Sequence, residues 1–197
     1  MSSKFSHTLS KAVLGILALY FLYLFTQVID VVNRRHVGTS EGTYINNTRS
    51  SAELKTLSLK LTENCTSNEC RVKNVLDYVT NIPYLINNFT AHSPQETIQQ
   101  NFGDCDDKSN LLISLLHELN IESYFVLVPK HIFVIVALDN IESKKALYLN
   151  SKPYYILEST AKDSDIGFPL AYKLNEISTI IEPFENKELD INNIEYK

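Results

Sequence analysis

The chain has 197 residues and a formal net charge of −5, a length that suits one globular domain with a short additional segment. The chain has 18 basic and 23 acidic side chains. Residues 1–35 contain four of the basic and one of the acidic side chains, so the remainder contains 14 basic and 22 acidic ones. An acidic domain excludes nucleic acid as a partner, because phosphate contacts require clustered Lys and Arg.

The first predicted element is an apolar helix. Residues 12–29 read AVLGILALYFLYLFTQVI and carry no charged side chain. A helix of this length rises about 27 Å, close to the hydrocarbon thickness of a bilayer. After a flank at residues 1–11, residues 12–32 are therefore predicted to be a single transmembrane anchor. A cleaved signal peptide is the alternative, which the long run and the lack of a small-x-small site behind it disfavour.

A polar segment and two cysteines follow the predicted anchor. Residues 33–52 lack apolar periodicity and are predicted to be a tether. Cys65 and Cys70 are close enough along the chain for a local disulfide, which leaves Cys105 as a free thiol. A disulfide and one reserved thiol indicate an oxidising compartment, so we expect the domain on the extracytoplasmic side of the membrane. Two unpaired structural cysteines in the cytosol are the alternative.

Three helices are predicted in the remainder. Apolar residues at i, i+3, i+4 and i+7 mark the first, a capping box with proline marks the second, and leucines on one face mark the third. The third helix runs from Cys105 to Leu119, with Asp104 as its N-cap. The residues that carry these signals are, in order, Val72, Val75, Leu76 and Val79; Ser93, Pro94 and Glu96; and Leu111, Leu112, Leu115, Leu116 and Leu119.

Short apolar runs typical of β-strands follow Asn120. Helices followed by strands indicate an α+β fold, in which an antiparallel sheet packs against the helix that begins at Cys105. Residues 53–184 are predicted to form this domain, and residues 185–197 a loosely ordered charged tail. The predicted strands are residues 124–128, 132–138, 146–149 and 154–157.

Cys105 is the candidate nucleophile. It lies in Gly103-Asp-Cys-Asp-Asp, at the first turn of a predicted helix, where unpaired backbone N–H groups and the helix dipole favour a thiolate. Gly103 is expected to let a substrate backbone approach closely. The neighbouring acids would raise the pKa of the thiol, so the site requires a cationic partner. A small buried residue at a helix start is the alternative.

His131 is the predicted partner of the thiol. His117 lies too far along the same helix, about 18 Å from Cys105, whereas His131 opens a strand that can face the helix start. Its imidazole can take the thiol proton and hold an ion pair. Glu158 follows the strand at 154–157, where its carboxylate can orient the imidazole. An ordinary surface acid is the alternative.

The order of these residues resembles the transglutaminase-like superfamily. The similarity covers residues 68–170 and depends on Gly-Asp-Cys-Asp-Asp at 103–107, on His131 and on Ile-Leu-Glu-Ser-Thr at 156–160. It implies a papain-like transglutaminase core, a protein or peptide substrate, and no cofactor apart from calcium. The family's third residue is commonly Asp, whereas Glu158 carries an extra methylene that moves the carboxylate by about 1.5 Å.

Two further sites are implied by the same resemblance. Papain-like enzymes place a Gln six residues before the cysteine, which makes Gln99 the candidate for the oxyanion hole, together with the backbone N–H of Cys105. Similar bacterial members bind calcium through acids beside the nucleophile, which here are Asp104, Asp106 and Asp107. Acids that complement the helix dipole are the alternative interpretation.

These residues support three hypotheses of function. The first is acyl transfer through a Cys105 thioester, with hydrolysis of a peptide or isopeptide bond favoured over cross-linking. The second is a catalytically inactive module that binds peptide or protein at the membrane surface, which the glutamate at position 158 favours. The third is a zinc site formed by the three cysteines and His131, although a Cys-x4-Cys spacing matches zinc sites poorly.

Overall fold

The structure is a computed structural model that describes residues 2–39, 42–86 and 91–197. The chain divides into two compact units, Met1–His36 and Val37–Lys197. The second unit contains every residue that the sequence assigns to the candidate site.

The first unit consists of one helix, α1 (Ser2–Arg35). Its sequence contains no proline and many leucine and alanine residues, which favour an uninterrupted helix. Within the part of the chain that the structure describes, no helix is long and apolar enough to cross a membrane. The anchor expected at residues 12–32 is not confirmed and stays a prediction.

Helices precede the large sheet in the second unit, and each begins at a polar cap. The side chains of Ser51, Ser67, Ser93 and Asp104 accept hydrogen bonds from backbone N–H groups of the first turn, which pairs donors that a helix start leaves free. The predicted capping box at Ser93 and the proline at the first helical position are confirmed. The helices are α2 (Ala52–Leu61), α3 (Asn68–Asn81), α4 (Pro94–Gln100) and α5 (Cys105–Glu118).

The strands form two sheets. One has two strands, and the other has seven antiparallel strands in the order β8-β7-β3-β4-β6-β5-β9. The four predicted strands correspond to β3 to β6 and are confirmed to within two residues. The strands are β1 (His36–Thr39), β2 (Gly42–Ile45), β3 (Ser123–Val128), β4 (His131–Ala137), β5 (Leu147–Leu149), β6 (Lys152–Leu157), β7 (Thr179–Glu182), β8 (Lys187–Glu188) and β9 (Ile194–Tyr196).

The two faces of the large sheet bury different clusters of apolar side chains. Because side chains alternate along a strand, Val134 and Val136 pack in the cluster that contains the leucines of α5, whereas Phe133 and Ile135 pack on the other face. Helix α5 contacts α2, α3 and α4 as well as β3 and β4. The α+β class, with an antiparallel sheet against the cysteine-bearing helix, is confirmed.

The predicted tether at residues 33–52 is wrong in its second half. The buried hydroxyl of Tyr44 donates to Asn110 Oδ1 at 3.2 Å, and the buried amide of Asn46 donates to the carbonyl of Pro183. These polar side chains bond to residues far away along the chain, so the local sequence gives no sign that they belong to the domain.

The charged tail predicted at residues 185–197 is also wrong. Strand β9 pairs with β5, with Ile194 opposite Leu149 and Tyr196 opposite Leu147, and β8 extends the other edge by pairing with β7. Charged side chains are common on edge strands, where they discourage pairing with other chains. The charge of this segment is therefore typical of a sheet edge as well as of a disordered tail.

Cys65 and Cys70 form a disulfide that joins the loop after α2 to the first turn of α3. Cys105 is the free cysteine. The zinc hypothesis is wrong for this structure, because the disulfide consumes two of the thiolates that a zinc site would use.

A buried lysine joins the first turns of α5 to the end of α3. Lys108 is 1% exposed, and its Nζ donates to the carbonyls of Ile82 at 2.8 Å and Thr80 at 3.4 Å. These carbonyls lie at a helix end, where intrahelical donors are lacking. Burial lowers the pKa of Lys108 to about 8, although the charge of Glu158 opposes the shift, because removal from water disfavours the ammonium form.

The difference in the free energy of unfolding between wild type and Lys108→Met should depend on pH. Between about pH 8 and the ordinary lysine value of 10.5, the folded chain has released a proton that the unfolded chain keeps. Rising pH therefore stabilises wild type relative to Lys108→Met, by up to about 1.4 kcal/mol per pH unit. Urea unfolding across this window measures the difference. The exposed Lys60→Met is the matched control, and a difference that does not change with pH would contradict the assignment.

Candidate active site

Cys105 is the first residue of α5, and a capping box fixes the backbone around it. The Asp104 carboxylate accepts from the N–H groups of Asp106 and Asp107 at 3.1 and 3.2 Å. In return, Asp107 Oδ2 accepts from the N–H of Asp104 at 3.3 Å. Asp107 is fully buried, and its Oδ1 also accepts from the N–H of His92 at 2.6 Å. The cysteine is thus held at the helix start where the sequence predicts it.

The thiol of Cys105 is half-buried and donates to Asp106 Oδ1 at 3.5 Å. Burial raises the pKa of Cys105 to about 12, and the charges of Asp106 and Asp104 add to the rise. Low polarity and negative neighbours both disfavour a thiolate. In this arrangement, burial and the adjacent acids oppose the effect of the helix dipole, which favours a thiolate.

Asp106 is the acid in contact with the thiol. Burial and the charge of Asp104 raise the pKa of Asp106 to about 6, while the Cys105 hydrogen bond and the charge of His131 act in the opposite direction. The carboxylate is thus mostly ionised at neutral pH and opposes ionisation of the thiol. Asp106 is visible in the sequence, but this effect depends on its burial, which no local pattern reveals.

Two neighbouring strands bring His131 and Glu158 together. His131 begins β4 directly after a tight turn in which it pairs with Val128, and Lys130 closes that turn with φ of 60°. Glu158 follows β6, which pairs with β4. The distance from His131 Nε2 to Glu158 Oε2 is 2.8 Å. The longer side chain of Glu, compared with Asp, does not prevent this contact.

Hydrogen bonds keep Glu158 ionised. Burial acts to raise its pKa, but donors from His131 and from the N–H and hydroxyl of Thr160 hold that pKa below its ordinary value. An ionised carboxylate only accepts hydrogen bonds, so Nε2 of the imidazole carries the hydrogen. The other ring nitrogen, Nδ1, is the one that remains to accept a proton.

The start of α5 and the His131–Glu158 pair influence each other electrostatically. The charge of His131 acts on Asp106, beside the thiol, and α5 packs against the strand that His131 begins. Among the hydrogen bonds of the described residues, none joins Cys105 Sγ to His131, and the thiol is bonded to Asp106 instead. The structure therefore contains the imidazole–carboxylate pair, with the thiol nearby in its neutral form.

Tyr172 is a residue of this site that the sequence did not indicate. Its ring stacks on His131, with centroids 6.2 Å apart and planes at 20°, and it also stacks on Phe133 at 6.5 Å. Burial raises the pKa of Tyr172, and the charges of Glu158 and Cys105 contribute. It lies in a loop between β6 and β7, where one aromatic residue carries no recognisable signal.

Gly103 has a structural role in the fold. A Cβ at this position would lie 2.8 Å from Asp107 Cβ and 3.2 Å from Thr97 Cγ2, so neighbouring side chains already fill the space. Its N–H donates to the carbonyl of Pro83 at 3.2 Å, and its carbonyl accepts from the N–H of Leu85 at 3.1 Å. The small size of Gly103 thus permits the capping box, and its predicted role in substrate approach stays a prediction.

The structure gives different surroundings to Gln99, predicted for the oxyanion hole, and to the acids predicted to bind calcium. Gln99 is exposed in the last turn of α4, and its role stays a prediction. Among the described residues, no group of three or more His, Cys, Asp and Glu side chains is arranged to hold a metal ion. Asp104 and Asp107 direct carboxylate oxygens to backbone N–H groups. These contacts support the helix-capping interpretation of the acids and give no support to calcium at Asp104, Asp106 and Asp107.

Comparison with known proteins shows similarity to one family and to the folds of two solved structures. Residues 55–132 match the model of the transglutaminase-like superfamily, and no curated protein matches the chain. A structure named "putative cysteine protease" from Cytophaga hutchinsonii is 17% identical, with a TM-score of 0.50 over 78% of this chain. A structure named "putative protease" from Parabacteroides distasonis is 14% identical, with a TM-score of 0.48 over 73% of this chain.

This chain spans 52% of the Cytophaga protein and 28% of the Parabacteroides protein, so the activity of either whole protein does not transfer to it. The family match extends from α2 to the start of β4 and includes Cys105 and His131, whereas Glu158 lies beyond it. The resemblance seen in the sequence is confirmed. Residues 55–132, in the second unit of this chain, are therefore similar to the core of the transglutaminase-like superfamily.

Proposed function

We propose that this domain is a thiol enzyme that hydrolyses peptide or isopeptide bonds, with Cys105 as nucleophile, His131 as base and Glu158 as the group that orients the base. The observation that carries the proposal is the 2.8 Å hydrogen bond between His131 Nε2 and Glu158 Oε2. A histidine oriented by a carboxylate, on a strand that packs against the cysteine-bearing helix, is the arrangement that a general base requires.

The proposed reaction has two halves. Nδ1 of His131 takes the proton of Cys105 as Sγ attacks the carbonyl carbon of the substrate, and the backbone N–H of Cys105 is one donor to the oxyanion. The C–N bond then breaks, the amine leaves with the proton from the imidazole, and a thioester remains. Water gives a proton to His131 and attacks the thioester carbonyl. The C–S bond then breaks, the acid leaves, and His131 returns the proton to the sulfur of Cys105.

The resting hydrogen bond between Cys105 and Asp106 must break before this reaction starts. The thiol donates to Asp106, so Sγ has to rotate towards His131 or Asp106 has to lose its charge. Either change removes an interaction that disfavours the thiolate.

A catalytically inactive module that binds peptide or protein is the second candidate function. The observation that favours it is the raised pKa of Cys105, about 12, because such a thiol contains very little of the nucleophilic thiolate at neutral pH. The two candidates differ in whether a covalent acyl-enzyme forms.

We also infer that α1 attaches the domain to a membrane, with the domain on the extracytoplasmic side. Residues 12–29 carry no charge, and apolar side chains such as Leu19 and Phe21 are 68% and 66% exposed. An apolar surface of this kind needs a lipid or protein cover. The disulfide between Cys65 and Cys70 supports an oxidising compartment.

Substitutions of the three residues should separate enzyme from binding module. In the full chain, Cys105→Ala should abolish hydrolysis of a peptide library and the acyl-enzyme that mass spectrometry detects. His131→Ala should lower kcat/KM about 10²–10⁴-fold, the usual contribution of a general base. Glu158→Gln should cost less, since it keeps an acceptor oxygen for the imidazole.

His117→Ala is the matched control for these substitutions, because that histidine is exposed near the other end of α5 and stacks on Phe184. Its activity should equal that of wild type. Hydrolysis that persists in Cys105→Ala would overturn the enzyme proposal. Peptide binding without an acyl-enzyme in wild type would favour the inactive module instead.

Asp106→Asn should make the thiol more reactive. Loss of the negative charge lowers the pKa of Cys105, and each unit by which the pKa falls gives about tenfold more thiolate. Alkylation by iodoacetamide near neutral pH should therefore become about tenfold faster or more. Asp106→Glu keeps the charge and is the control.

The alkylation rate of wild type should rise about tenfold per pH unit through neutrality, because the pKa of its thiol is about 12. A plateau near neutral pH would show that the resting thiol is already ionised.

Alkaline carbonate extraction tests the membrane inference. The full chain should stay in the membrane fraction, and Phe21→Arg should weaken its retention, because a charged side chain at the centre of a span costs about 2.5–3.5 kcal/mol. Leu59→Arg, at an exposed apolar position on α2, is the matched control and should not change retention. Release of the wild-type chain by the extraction would contradict the inference.

A further inference from the structure

Three consecutive apolar side chains are exposed beside the candidate active site. Tyr84, Leu85 and Ile86, here called the apolar lip, are 52%, 56% and 63% exposed. They follow Ile82 and Pro83, at the end of α3. Single exposed apolar residues are ordinary on protein surfaces, whereas a contiguous group indicates a surface that binds something.

The apolar lip is fixed to the residues that position the cysteine. Tyr84 forms a parallel bridge with Gly103, two residues before Cys105, and backbone hydrogen bonds join Gly103 to Pro83 and Leu85 at 3.2 and 3.1 Å. The buried Nζ of Lys108 holds the carbonyl of Ile82 at 2.8 Å. Tyr84 and Leu85 of the lip therefore have a defined position relative to the residues just before Cys105.

The aromatic residue of the lip lies within electrostatic range of the thiol. Burial raises the pKa of Tyr84, and the charges of Cys105, Asp104 and Asp106 contribute to the rise. Tyr84 thus lies near the start of α5, as its bridge with Gly103 also shows. Its own side chains are uncharged, while the charge beside them is negative, so an acidic substrate residue would be repelled there.

We propose that the apolar lip is the substrate subsite of this enzyme, and that it binds a large apolar side chain of the peptide attacked by Cys105. This inference depends on the proposed hydrolysis and specifies its substrate class. Such a side chain would cover exposed surface of Tyr84, Leu85 and Ile86, and its burial drives binding. A peptide with Leu next to the attacked carbonyl is preferred over one with Gly or Asp at that position.

The experiment uses the full-length protein and two peptidyl vinyl sulfones that differ only in Leu or Gly beside the reactive group. The Leu probe should label Cys105 about tenfold faster or more, the range expected for an apolar side chain entering a pocket. The double variant Leu85→Ser, Ile86→Ser should bring the two rates close together. Alkylation by iodoacetamide should not change in this variant, which shows that the thiol and its surroundings are intact.

Leu59→Ser is the control, since Leu59 is exposed to a similar degree, 54%, on α2, and it should keep the full preference for Leu. Equal labelling of wild type by both probes would overturn the subsite while leaving the enzyme proposal in place. A change in oligomeric state of the lip variant with an unchanged preference would also overturn it and identify the lip as a contact between copies. Reaction of Cys105 with iodoacetamide but with neither probe would instead overturn the proposed function, and the subsite with it.

Discussion

The burial of Asp107 is the constraint on which the rest of the site depends. This carboxylate has no exposed surface and accepts backbone hydrogen bonds from His92 and Asp104. It therefore joins the segment before α4 to the first turn of α5 and determines where Cys105 lies. Gly103 has to be a glycine because a Cβ there would collide with Asp107. A buried acceptor left without donors is costly, and the N–H groups of His92 and Asp104 supply the donors that this carboxylate needs.

The same acids that position the cysteine disfavour its reactive form. Asp104 caps the helix, and Asp106 accepts the hydrogen bond of the thiol. Burial raises the pKa of Cys105, and the charges of Asp106 and Asp104 raise it further. The arrangement thus favours an ordered, neutral thiol at rest and requires a further event to ionise it.

Features that depend on neighbouring residues could be predicted from the sequence. Capping at Ser93 and Asp104 depends on contacts within one helical turn, and the strands that became β3 to β6 are continuous apolar runs. His131 and Glu158 could be paired because each lies at the end of such a run. Contacts between residues far apart in the sequence could not be predicted, such as the hydrogen bond from Tyr44 to Asn110 and the pairing of β9 with β5. The pKa of Cys105 also could not be predicted, because it depends on burial and not on residue order.

Substrate binding at the apolar lip would itself change the electrostatics of the thiol. Tyr84 lies within range of the charges of Cys105 and Asp106, and a bound side chain that extended from the lip over Asp106 would remove water from that carboxylate. Loss of water raises the pKa of a carboxylate, and the pKa of Asp106 is already about 6. A further rise would make Asp106 neutral near physiological pH and remove its repulsion of the thiolate. Desolvation also disfavours the thiolate itself, so the balance is set by how close His131 comes to Sγ, since an ion pair gains strength where water is excluded.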